Sequence, residues 1–182
     1  MALIVEDGNV VPNADSFLSL IDARALAINY GIALPVDDLE AQVTLRNSYL
    51  LLLTEEKNLQ GSRVSEDQTG IFPRKDVKKN CFDVAIDVIP TDVKMAQLYA
   101  ADAINSGATT NNIDDGQRLK SFNVDGVYSE TYQDGSSEST NANIQGVDNQ
   151  LFPFTKAGLS AANCGGIGGF GQLNANNFGY LP

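Results

Sequence analysis

The sequence predicts a mainly α-helical protein: a small helical bundle of three main helices and a short fourth, with a β-hairpin and an extended C-terminal arm. Three observations carry that prediction. Capping signatures at Ser19 and Asp37 each open a run of apolar residues at helical spacing. Pro90 stands where a third such run begins, a position that a proline's missing N–H and fixed φ suit. Asp125-Gly126 divides two alternating segments late in the chain, as a type I′ hairpin turn requires.

Taken in order, ALIVEDG reads as a short apolar strand closed by a turn at Asp7-Gly8, with a later strand as its expected partner. Helix one follows from the Ser19-x-x-Asp22 capping box, with Leu20, Ala23, Ala27 and Tyr30 on one face and Gly31 as its stop. Helix two starts after the Asp37 cap. Its expected stripe is Leu39, Val43, Arg46, Leu50, Leu53 and Lys57, running to Gly61. GSRVSEDQTGIFPRKDVKK, residues 61–79, has neither helical nor strand periodicity and reads as an irregular connection. Helix three begins at Pro90, buries Val93, Ala96, Gln97, Ala100 and Ile104, and stops at Ser106-Gly107.

RLKSFNV and VYSETY then alternate around Asp125 and Gly126, giving a hairpin over about residues 118–133. SSESTNANIQG has little to bury and reads as a polar loop. VDNQLFPF is at most a short helical turn, limited by Pro153. The organisation expected is a bundle over 1–156, including the hairpin, and a Gly/Asn-rich arm over 157–182.

Composition removes several function classes. The 182 residues are 43% hydrophobic, enough for one sizeable core. A formal net charge of −11 opposes a protein whose affinity comes from neutralising nucleic-acid phosphates. No histidine is present, which removes Ser-His and Cys-His nucleophile pairs and the commonest general base. Cys81 and Cys164 lack metal or redox spacing, and a disulfide between them is disfavoured in a reducing compartment. No apolar run spans a bilayer and no leader is evident. The expectation is a cytosolic protein without enzymatic activity, cofactor, metal or membrane partner.

Local motifs reinforce that expectation. Gly166-x-Gly168-x-x-Gly171 matches the dinucleotide fingerprint in form, yet no helical pattern follows to hold a pyrophosphate. The carboxylate pairs Asp37-Asp38, Glu55-Glu56 and Asp114-Asp115 have no recurring partner spacing and read as caps and loops. Arg74, Lys75, Lys78 and Lys79, flanked by Phe72 and Phe82, form a basic, aromatic cluster of the kind single-strand binders use. A solvated or interface-facing loop is the preferred reading of it. In the arm, Phe170, Leu173, Phe178, Tyr180 and Leu181 are spaced along a Gly- and Asn-rich background, which suits docking into partner pockets.

With these elements in place, the sequence resembles the head-to-tail connector (adaptor, or head-completion) proteins of tailed bacteriophages. The likeness lies in MALIVEDG followed by NADSFLSLIDA, in GSRVSEDQTGIFPR, in the Ile89-Pro90 helix start, and in VYSETYQDG followed by VDNQLFP. Related sequences usually carry Trp-Pro-Arg where Phe72-Pro73-Arg74 stands here. The resemblance implies a homo-oligomeric virion ring, commonly of twelve copies, beneath the portal protein. It would join the head to the next tail or neck component and let genomic double-stranded DNA pass without sequence-specific grip. Similar sequences are sometimes labelled DnaT-like single-stranded DNA-binding proteins, the alternative reading. In such a ring Phe72 and Pro73 anchor the 61–79 loop, while Arg63, Arg74, Lys75, Lys78 and Lys79 become candidate contacts to the next acidic subunit.

Overall fold

A computed structural model of the chain describes residues 2–107, 122–124, 128–130 and 142–162. Its helices are α1 (Leu20–Tyr30), α2 (Asp38–Leu53), α3 (Thr91–Asn105), α4 (Ala142–Leu151) and α5 (Lys156–Ala161). Three two-stranded antiparallel ladders accompany them: β1 (Ser62–Arg63) with β2 (Arg74–Lys75), β3 (Lys78–Lys79) with β4 (Phe82–Asp83), and β5 (Phe122–Val124) with β6 (Tyr128–Glu130). The fold is mainly α with small hairpins.

Local chemistry explains the helix limits. Ser19 accepts from the Asp22 N–H at the start of α1, and Gly31 closes it in the left-handed region at φ 66. Asp37 accepts from the Leu39 and Glu40 amides to open α2. Pro90 is the N-cap residue of α3, just outside the helix, which starts at Thr91.

Helix α3 is the central element, packed against α2 on one side and α4 on the other. It presents Val93, Ala96 and Ala100, small enough to let its neighbours approach closely, to a core containing Phe17, Leu52, Ile71, Phe72, Leu151 and Phe154. A second cluster joins Ala23 and Ala27 of α1, Leu45 of α2, and Leu98 and Ala101 of α3. Between the clusters lies fully buried Gln97. Its Oε1 accepts from the Phe17 N–H, and its Nε2 donates to Ser16 Oγ and the Leu45 carbonyl. One satisfied amide thus ties the N-terminal loop, α2 and α3 together.

Four expectations need correction. Among the described residues the N-terminal segment pairs with no strand: Val5 makes an isolated parallel bridge to Ser16. The loop is ordered instead by the buried Glu6 carboxylate, which accepts from the amides of Gly8, Val10 and Val11. Helix α2 ends at Leu53, because the Thr54 hydroxyl takes the Leu51 carbonyl and the chain tightens into a 3₁₀ turn over Glu56–Asn58. Its buried face is Ala41, Leu45, Ser48, Tyr49 and Leu52, while Leu39, Val43 and Leu50 of the expected stripe are exposed. Finally, the segment expected as loop and short turn is the ten-residue α4, followed by a 3₁₀ turn at Phe152–Phe154. Burial of Val147 and Leu151 against α3 gives that weakly patterned stretch its reason to be helical.

The late hairpin is present as β5 and β6, with Val124 opposite Tyr128. That register leaves three residues between them, where a type I′ turn would leave two. Asp125 and Gly126 themselves lie outside the described residues. A two-residue turn with both φ positive does occur, at Asn80 (φ 50) and Cys81 (φ 72) between β3 and β4. The boundary expected at residues 156 and 157 falls at the start of α5, which the Thr155 side chain caps through the Gly158 amide.

Candidate functional site

The 61–79 loop is held by its own residues. Gly61 (φ 61) lies so close to β2 that a Cβ there would sit 1.9 Å from the Lys75 carbonyl oxygen. Phe72 is buried and meets Phe154 edge to face at 5.5 Å between ring centroids; the Phe72-Pro73 bond is cis.

Arg74, expected as a contact to a neighbouring subunit, is instead an internal strut, only 4% exposed. Its guanidinium donates to the carbonyls of Gln60, Gly61 and Ile71 and to Glu56 Oε1. A buried guanidinium needs this many acceptors to offset its lost hydration. Arg63 likewise turns inward, gripping both Glu56 oxygens while donating to the Glu56 Oε1 through Nε and to the Gln68 carbonyl. The hydrogen bonds from Arg63, followed by those from Arg74, hold the Glu56 carboxyl below its ordinary pKa. Burial pushes the Arg74 pKa down, opposed by Glu56.

Lys78 pairs with Asp83, and Lys79 pairs with Asp92 while lying over the Phe154 ring. Lys75 is exposed and has no ion-pair partner among the described residues. The loop therefore offers an outside partner Lys75, the partly exposed Lys78 and Lys79, and the Phe82 ring, which is 78% exposed.

The outer sides of α1 and α2 also carry exposed apolar residues. At about 100° per residue, Leu39, Val43 and Leu50 fall within about 40° of one another, opposite the buried Ala41, Leu45 and Leu52. All three are exposed. Ile21 and Ile28 sit seven residues apart on α1, each 81% exposed, and Val36 in the connection is 92% exposed. Arg24 braces this connection, donating to the Pro35 and Val36 carbonyls and pairing with Asp38. Scattered exposed apolar residues are ordinary, whereas stripes on consecutive helices mark interaction surfaces. The signal in the sequence was that α2 carries apolar residues on both sides, more than one packing face uses.

An open pocket of about 630 Å³ lies between the 3₁₀ turn after α2 and the α4–α5 region, lined by residues including Glu55, Lys57, Asp148, Phe152 and Lys156. Burial, and then the Glu55 charge, raises the Asp148 pKa. Two carboxylates and two lysines nearly cancel there and assemble no nucleophile with a base. Among the described residues no group of three or more His, Cys, Asp and Glu could hold a metal ion, and no helix is long and apolar enough to cross a membrane.

Cys81 is disulfide-bonded, contrary to the expectation of reduced cysteines; the chain's other cysteine, Cys164, lies outside the described residues. The arm residues Phe170, Leu173, Phe178, Tyr180 and Leu181 also lie outside them. A family model described as "Putative DnaT-like ssDNA binding protein" matches residues 1–168. No curated protein matches, and no solved structure matches.

Proposed function

We propose a function from the premise that the chain belongs to the DnaT-like ssDNA-binding family: within it, this chain is an architectural virion protein. Copies form a ring, of twelve subunits by resemblance to phage connectors, that docks on a portal protein and joins head to tail. Genomic double-stranded DNA passes through its lumen, and no catalysis is involved. The carrying observation is the exposed apolar residues on the outer sides of α1 and α2, Ile21, Ile28, Leu39, Val43 and Leu50.

Electrostatics agree with that reading. A net charge of −11 disfavours tight contact with phosphates, which suits a channel through which DNA must slide. Arg63 and Arg74, the strongest phosphate ligands of the basic loop, are committed to Glu56. The test is addition of purified protein to DNA-filled heads that lack it. The expected result is a closed ring at the portal vertex and recovery of tail joining. Failure to bind heads overturns the proposal.

The second reading is single-strand binding, the activity that the family's description names. It is favoured by exposed Lys75 on β2 and exposed Phe82 on β4, a cation and a ring available for phosphate and base. Fluorescence anisotropy with labelled oligothymidine separates the readings. Micromolar or tighter binding at physiological salt, lost when Lys75, Lys78 and Lys79 become Ala, favours the single-strand binder.

A further inference from the structure

We infer that Cys81 and Cys164 form a thiol-sensitive clasp that seats α5, the root of the C-terminal arm, on the turn between β3 and β4. Cys81 is disulfide-bonded, and the chain has two cysteines, so within one copy its partner is Cys164. A second observation points to the same pairing. Cys81 Sγ lies 3.6 Å from the carbonyl oxygen of Ala162, which precedes Cys164 by two positions. A disulfide sulfur carries no proton, so this is a contact and not a hydrogen bond. It brings the end of α5 to the exposed turn at Asn80 and Cys81.

The two ends of α5 are held differently. At its start, Thr155 bridges to Leu59, Gln60 Nε2 donates to the Pro153 and Thr155 carbonyls, and Lys156 Nζ donates to the Lys57 carbonyl. Further on, Gly158 is the helix's buried residue, while Ser160 and Ala161 are exposed. Six residues are too few for a helix to persist without outside support. The cross-link supplies that support at the end where side chains face solvent. Its other side is firm, because Lys79 pairs with Asp92 of α3 and Gln60 bonds both backbone groups of Lys78.

Exposure makes the clasp reversible, since a small-molecule thiolate reaches the Cys81 sulfur in its turn. Attack there breaks the S–S bond, forms a mixed disulfide and expels the Cys164 thiolate, which takes a proton. A second thiolate attacks the outer sulfur of the mixed disulfide and expels the Cys81 thiolate, which is protonated in turn. The protein gains two electrons and two protons, and two small thiols become one disulfide. Oxidised glutathione runs the same steps in reverse. A reducing compartment therefore opens the clasp and an oxidising one closes it.

The experiment is amide hydrogen exchange, followed residue by residue, on the full chain equilibrated in reduced or in oxidised glutathione, with non-reducing peptide mapping and thiol titration of the same samples. The oxidised protein is expected to give a Cys81–Cys164 linked peptide within one copy and no titratable thiol. After reduction, the Leu159 and Ala162 amides, which donate to the Thr155 and Gly158 carbonyls, are expected to exchange about tenfold or more faster, with α2 and α3 unchanged. Cys164→Ser is expected to show the fast exchange in both buffers. A linked peptide that joins two copies, or thiols that stay titratable in oxidised glutathione, overturns the pairing. Equal α5 exchange in both buffers overturns the seating role even where the bond forms. Amides of α2 and α3 that quicken as much as those of α5 overturn it too, by assigning the bond to overall stability. Head joining and oligothymidine binding are read in separate assays, so the proposed function stands or falls independently of the clasp.

Discussion

Glu56 accepts from two guanidinium groups, and those hydrogen bonds keep its carboxyl below the ordinary value of 4.5. A carboxylate with a depressed folded pKa contributes stability that is fully present above the unfolded value and is lost as pH falls through the folded one. Urea midpoints measured across the acid range should therefore fall below about pH 4.5 in wild type and fall less steeply in Glu56→Gln. At neutral pH the same variant should be the weaker protein, because it leaves Arg74 buried without its anion. Arg74→Ala should cost more than about 2 kcal/mol, because it empties a buried site and leaves the Gln60, Gly61 and Ile71 carbonyls without their donor. Lys75→Ala, one position away and exposed, should stay within about 0.5 kcal/mol of wild type. Equal costs for the two substitutions would contradict the inward assignment of Arg74.

Elements answer to different constraints. Gly61 combines a positive φ with a close approach to the Lys75 carbonyl, so Gly61→Ala should destabilise by more than about 1 kcal/mol and loosen the β1–β2 ladder. Amide exchange at Lys75 and Ser62 would report the loosening. Helix α4 carries the opposite kind of charge effect. Asp148 has a raised folded pKa, so the folded state holds its proton more tightly than the unfolded chain does, and stability is lost as pH rises through that value. Asp148→Asn should therefore raise the melting temperature at neutral pH, and the gain should vanish below the unfolded value of 3.8. A gain that persists in strong acid would assign the effect to packing rather than charge.

For the whole molecule, the informative cut is at the C-terminus. Helix α5 extends to Ala161, so removing residues 157–182, the arm expected from the sequence, would delete most of a helix whose Gly158 is packed against the Phe152 carbonyl. A chain ending at Cys164 keeps α5 and both cysteines. It should unfold cooperatively at the wild-type temperature and fail to join heads to tails; full joining by the truncated chain would end the docking role assigned to the arm. Much of the fold is legible in the sequence because caps and stops are local: Ser19, Gly31, Asp37 and Gly107 act on backbone groups within one turn of themselves. The acidic balance, which opposes phosphate binding, is likewise a property of composition. Which side of α2 is buried was not legible, since Leu39, Val43 and Leu50 form as good a stripe as Ala41, Leu45 and Leu52. Only the approach of α3, with its small alanines and Gln97, chose between them. The same holds for Arg74, which reads as one of a run of surface cations until Gln60, Gly61 and Glu56 close around it. Local sequence set where α1, α2 and α3 begin and how the chain is charged, because those depend on neighbours along the backbone. Tertiary structure decided which apolar and cationic groups remain for a partner, because that depends on residues distant in the chain competing for the same side chains.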